Sequence, residues 1–127
     1  MIKDIIDIKD APKAIGTYSQ GIRVGNLIYT SGQIPLNPQT ENLITGNIKE
    51  EIRQVLSNLD SVLKGGGSSL EFAIKLTVFI TDISYLSELN EVFQEYFSEK
   101  PPARSVIQVT ALPMNVRIEI EAVGAIE

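Results

Sequence analysis

The chain has 127 residues, enough to bury a core within one domain spanning 1–127, and its 43% apolar and 21% charged content is a globular mixture. Sixteen acidic against eleven basic side chains give a net charge of −5, which disfavours nucleic-acid binding but leaves room for a local anion site. With no Cys, no His and no Trp, the sequence excludes disulfides, thiol nucleophiles, Cys/His zinc sites and histidine-dependent triads, leaving Arg, Lys, Glu, Asp, Tyr, Ser, backbone amides and water for any chemistry.

A first strand is expected within residues 2–8, whose acids interrupt the apolar run in a way no targeting segment would. No window approaches the ~18 apolar residues of a membrane span. The expectation is a soluble, cytoplasmic protein that engages no membrane. Gly25-Asn26 separates two short apolar runs, 21–24 and 27–31, as in a tight hairpin. Residues 32–47, with Pro35, Pro38 and Gly46, read as loop.

Asn47 stands three residues before Glu50, the spacing of a capping box, and Ile48, Ile52, Val55, Leu56, Leu59, Val62 and Leu63 share one helical face. Gly65-Gly66-Gly67 ends that helix as a flexible cap, and does not fit a phosphate loop because it opens no helix. Phe72, Ile74, Leu76, Val78 and Ile80 alternate with more polar neighbours, predicting a strand with one apolar face. A second amphipathic helix is expected over 84–98, with Leu86, Leu89, Val92, Phe93, Tyr96 and Phe97 on one side, stopped by Pro101-Pro102. Strands over 104–111 and 116–125 close the chain. The order is β-β-β-α-β-α-β-β, an α+β fold.

Both helices are one-sided and claim the same sheet face. Alternation assigns the opposite face to Lys75, Thr77 and Phe79; to Arg104, Val106 and Gln108; and to Arg117, Glu119, Glu121 and Val123. Apolar groups such as Phe79 on an uncovered face predict self-association in a closed oligomer.

Arg104 follows Pro101-Pro102-Ala103, which restrict the strand entry, and its guanidinium is a simple receptor for a small organic acid. Spacing alone favours an ordinary surface ion pair for it. Glu119 could orient or deprotonate a water if partly buried, although plain alternation explains it as well. Tyr18, Ser31, Gly32 and Asn90 offer hydroxyl, backbone N–H and amide groups, each with a structural alternative: loop anchor, strand end, exposed helix polar.

Four stretches occur in order along essentially the whole chain: Gly16-Thr17-Tyr18-Ser19-Gln20-Gly21, Tyr29-Thr30-Ser31-Gly32-Gln33-Ile34-Pro35, Pro102-Ala103-Arg104-Ser105 and Ile118-Glu119-Ile120-Glu121-Ala122. Together they resemble the Rid (YjgF) family of reactive-intermediate deaminases. The resemblance implies a chorismate-mutase-like fold and a homotrimer with active sites in the clefts between subunits. It implies hydrolysis of 2-imino acids and enamines, such as 2-iminobutyrate and 2-iminopropanoate, released by pyridoxal-phosphate enzymes. It implies neither cofactor nor metal. Arg104 matches the family's carboxylate-binding arginine and Glu119 its water-positioning glutamate. Tyr18, Ser31 and Asn90 match pocket residues, and the backbones of Gly32 and Val106 would line the pocket. Thr17 stands where members often have Pro, Val106 where many have Cys, and the 98–101 segment is shorter than in some members. The resemblance also admits two alternatives: a non-catalytic, small-acid-binding regulatory protein, and an endoribonuclease or translation inhibitor.

If the last two strands form a hairpin with Ala111 opposite Val116, Arg104 faces Val123, about 13 Å along the strand from Glu119 at ~3.3 Å per residue. One chain would struggle to bring both groups to one small acid, which favours a site shared between subunits.

Overall fold

A computed structural model describes residues 2–126. Six strands form one sheet in the order β1-β2-β3-β6-β4-β5, with β1 at Asp4–Ile6, β2 at Gly21–Val24, β3 at Leu27–Thr30, β4 at Ala73–Ile80, β5 at Ala103–Gln108 and β6 at Ile118–Ala125. Helices α1 (Ile48–Gly65) and α2 (Leu86–Tyr96) pack on one face. The fold is therefore the expected α+β arrangement, in the expected order.

Local chemistry sets most boundaries. The Asn47 side chain accepts a hydrogen bond from the Glu50 N–H at 3.2 Å and starts α1. The Gly25-Asn26 turn joins β2 to β3 with Val24 opposite Leu27. The three glycines ending α1 do more than release the chain. A Cβ on Gly66 would stand 2.5 Å from Ile28 Cδ1, and one on Gly65 2.9 Å from Ile8 Cγ2, so their bareness lets the helix end press onto the sheet.

Leu76, Val78 and Ile80 of β4 and Ile118 and Ile120 of β6 are fully buried against Ile52, Leu56, Leu59 and Leu89 of the helices. The alternation expected in β4 breaks at its start. A register shift between Ala73 and Lys75 turns Ile74 outward and puts Ala73 in the core in its place.

Two expectations are overturned. The last two strands form no hairpin. β4 lies between them, antiparallel to β6 and parallel to β5. The physical reason is α2: a strand, a crossover helix and a returning strand place β5 parallel beside β4, and β6 takes the other side of β4. Consequently Arg104, Val106 and Gln108 are not on the open face. They stand in register with Leu76, Val78 and Ile80, on the helix side of the sheet. Arg117 also leaves the open face. It precedes β6, and its guanidinium pairs with buried Glu51 of α1 and stacks on Tyr85 at 5.3 Å.

The open face carries Ile5, Ile22, Tyr29, Lys75, Thr77, Phe79, Ser105, Ile107, Glu119, Glu121 and Val123. Its apolar component persists, with Ile107, 43% exposed, where Val106 was expected. Among the described residues no helix is long and apolar enough to cross a membrane.

Candidate active site

Two clusters gather the candidate residues. The first is built where β5 leaves Pro101-Pro102 and passes under α2. Arg104 Nη1 donates to Asn90 Oδ1 at 2.9 Å, and the guanidinium carbon lies 5.4 Å from the centre of the Phe93 ring. A cleft of about 380 Å³ opens beside them, walled by Phe97, Pro101, Pro102 and Gln94. Asn90 and Phe93 are one helical turn apart, so both reach the same strand. The surface ion pair that spacing favoured for Arg104 is not formed: among the described residues it makes no salt bridge.

The second cluster lies across the sheet. Glu119 projects from β6 onto the backbone of Gly32, so closely that a Cβ there would stand 2.1 Å from its Oε2. Burial, and secondarily the charge of Glu121, raises the Glu119 pKa above the usual carboxylate range. Such a carboxyl keeps its proton to higher pH than an exposed glutamate, which suits proton exchange with a bound water. Ser31 is pinned beside it: its N–H donates to Gln20 O at 2.9 Å, and its hydroxyl donates to Ser19 O. Tyr18 stands over this stretch, 53% exposed, its hydroxyl accepting the Ile15 N–H at 3.1 Å. Tyr18, Ser19, Tyr29 and Ser31 line an open cleft of about 510 Å³.

The structure thus brings Arg104 to Asn90 and Glu119 to Gly32, and keeps the two pairs apart. Arg104 is in register with Ala122 through Leu76, two strand spacings away and three residues beyond Glu119. At ~4.8 Å between strands and ~3.3 Å per residue, the two Cα atoms are about 14 Å apart, with side chains on opposite faces. Val106 belongs to neither cluster. Its side chain packs toward the core, while β5, paired among the described residues only with β4, is an edge strand of the sheet. Phe93 is the residue that sequence reasoning assigned only to the apolar helix face. The signal that could have singled it out is its place three residues after Asn90.

A protein-family model described as Endoribonuclease L-PSP matches residues 8–126. The human 2-iminobutanoate/2-iminopropanoate deaminase is 42% identical over 124 residues, covering 98% of this chain and 90% of that one. A crystal structure of a proposed endoribonuclease from Thermotoga maritima has 47% identity, a TM-score of 0.96 and 99% coverage of both chains. The structure of Escherichia coli TdcF with bound serine has 38% identity and a TM-score of 0.92, covering 98% of this chain and 99% of that one. Matches of this extent, over a fold and a set of motif residues already in place, make the chain a member of the Rid family, also called YjgF or RutC.

Proposed function

We propose that this chain hydrolyses 2-imino acids and their enamine tautomers, such as 2-iminobutyrate and 2-iminopropanoate, to 2-keto acids and ammonium. The observation that carries the reading is Arg104, pre-set by Asn90 and Phe93 with part of its guanidinium free at a small cleft. A carboxylate beside the reacting carbon is what such a fork receives. Similarity to the human deaminase supports the same reaction, and the serine in TdcF supports a ligand of that size and charge.

The chemistry suits a protein without histidine. C2 of a protonated imine is already electrophilic. Water adds there while Glu119 accepts its proton, giving a carbinolamine. Glu119 returns the proton to nitrogen, the C–N bond breaks and ammonia leaves. The remaining hydroxyl gives up its proton as it closes to the ketone, that proton passing to Glu119 and on to ammonia as ammonium. Arg104 fixes the carboxylate, and Asn90 steadies Arg104. Tyr18, Ser31 and the backbones of Gly32 and Val106 line the pocket. Orientation supplies much of the effect. The reaction needs neither cofactor nor metal.

Arg104 and Glu119 lie about 14 Å apart on opposite faces of one sheet, so both reach one substrate only if a second copy supplies one of them. The chain, one domain over 1–127, then acts as a closed oligomer with sites in the clefts between subunits, and the family resemblance makes that oligomer a homotrimer. It works in the cytoplasm beside the pyridoxal-phosphate enzymes that release its substrates.

Generating 2-iminobutyrate enzymatically and following its decay tests the reading. The protein speeds formation of 2-ketobutyrate and ammonium, and Arg104→Ala loses the rate by orders of magnitude. Folded protein that leaves the decay unchanged turns the reading to a non-catalytic acid-binding module. The family model's name points instead to RNA cleavage. A net charge of −5 argues for weak RNA binding at physiological salt. Submicromolar, salt-sensitive RNA binding, lost on replacing Arg or Lys, overturns that.

A further inference from the structure

A long arginine side chain at the edge of a sheet ordinarily samples many rotamers, and a wandering fork is a poor receptor. Two contacts stop Arg104 from wandering. Asn90 Oδ1 holds Nη1 at 2.9 Å, and the face of the Phe93 ring lies 5.4 Å from the guanidinium carbon. The platform is itself fixed. Phe93 is only 7% exposed and meets Phe97 edge to face, centroids 5.3 Å apart at 67°. One turn of α2 thus offers an acceptor and an aromatic face to the same guanidinium.

The consequence is directional. With Nη1 engaged and the guanidinium carbon over the Phe93 ring, Nε and Nη2 make no hydrogen bond among the described residues. Those two atoms form the edge that meets both oxygens of a carboxylate at once. Arg104 itself lines the cleft walled by Phe97, Pro101 and Pro102, where such an edge would meet a ligand.

We propose that Phe93 is a positioning residue: a cation–π platform that, with Asn90, aims the free edge of Arg104 at the substrate carboxylate. This rests on Arg104 being the carboxylate receptor. Phe93 acts through Arg104 and has no part in the bond changes, so its loss weakens binding of ground state and transition state alike.

Two readouts separate that role from packing: steady-state kinetics with 2-iminobutyrate, and the Kd of the unreactive product 2-ketobutyrate by calorimetry. Phe93→Leu raises both KM and Kd by roughly 3- to 30-fold, the span of a cation–π contact from exposed to desolvated, with kcat within about twofold. Phe93→Tyr restores both. A ring-fluorinated phenylalanine at this position keeps the shape but drains the negative ring face, and weakens binding as Phe93→Leu does. It decides the matter if Phe93→Leu does not fold. The proposal is overturned if the fluorinated ring binds 2-ketobutyrate as tightly as the native one while Arg104→Ala does not. It is overturned together with the receptor role if Arg104→Ala binds normally. Wild-type protein that binds 2-ketobutyrate through Arg104 but leaves the imine untouched refutes the hydrolysis alone, and the Kd series still decides the platform.

Discussion

Gly32→Ala separates the site from the fold more cleanly than any other substitution. The new Cβ would stand 2.1 Å from Glu119 Oε2 and 2.8 Å from its Cδ, against an ordinary contact beginning near 3.4 Å. Glu119 must therefore retreat by about 1.3 Å or swing to another rotamer. What gives way is the far end of a flexible side chain, so the fold loses little. Gly32 is not among the glycines with positive φ, so alanine suits its backbone and contributes roughly 0.4–1 kcal/mol by restricting the unfolded chain. Stability should stay level or rise slightly. Activity should not survive intact, because a misplacement of about 1 Å costs on the order of a hundredfold in rate. Thermal unfolding and imine hydrolysis measured on one preparation check both halves. In the Gly32→Ala background, Glu119→Ala should add little further loss, since on the proposed mechanism both changes disable the same carboxylate. A Gly32→Ala protein with wild-type turnover would refute the reasoning.

Four more expectations concern Glu119, Arg117 and Phe79. Because burial raises the Glu119 pKa, the carboxylate protonates as pH falls at values above those of an ordinary glutamate, so activity should fail on an acid limb that Glu119→Gln lacks. The folded state holds that proton more tightly than the unfolded chain, so Glu119's stabilising contribution is present in acid and lost as pH rises through its raised pKa. Glu119→Gln should then unfold at a higher temperature than wild type at neutral pH, with the gap closing in acid, as calorimetry across pH would record. Arg117→Ala strands the Glu51 carboxylate, 3% exposed, without its partner, and should cost about 3 kcal/mol in denaturant unfolding. Glu51→Gln in the same chain should recover part of that loss. Phe79→Glu puts a charge among the apolar groups of the open face and should weaken assembly and activity together. A fully active monomer by sedimentation at assay concentration would contradict the shared site.

Elements whose chemistry is local were legible in the sequence. The Asn47 cap, the Gly25-Asn26 turn, the apolar stripe of α1 and that of β4 from Leu76 onward depend on neighbours within a few residues, and each forms as read; only the start of β4 departs, at the shift between Ala73 and Lys75. Four short motifs identified the family because they carry side chains whose spacing survives folding. Strand order was not legible. The turn at 112–115 reads equally well as a hairpin or as the passage round β4, and only the crossover of α2 decides between them. That one choice sets the parity of β5. It moves Arg104 from the face of Glu119 to the face of Asn90 and Phe93. Alternation could not settle it, because an edge strand exposed along most of its length has no single apolar face to declare. Local sequence therefore determined which residues were available for chemistry. Tertiary pairing decided which of them meet, because strand register is a relation between segments distant in the chain.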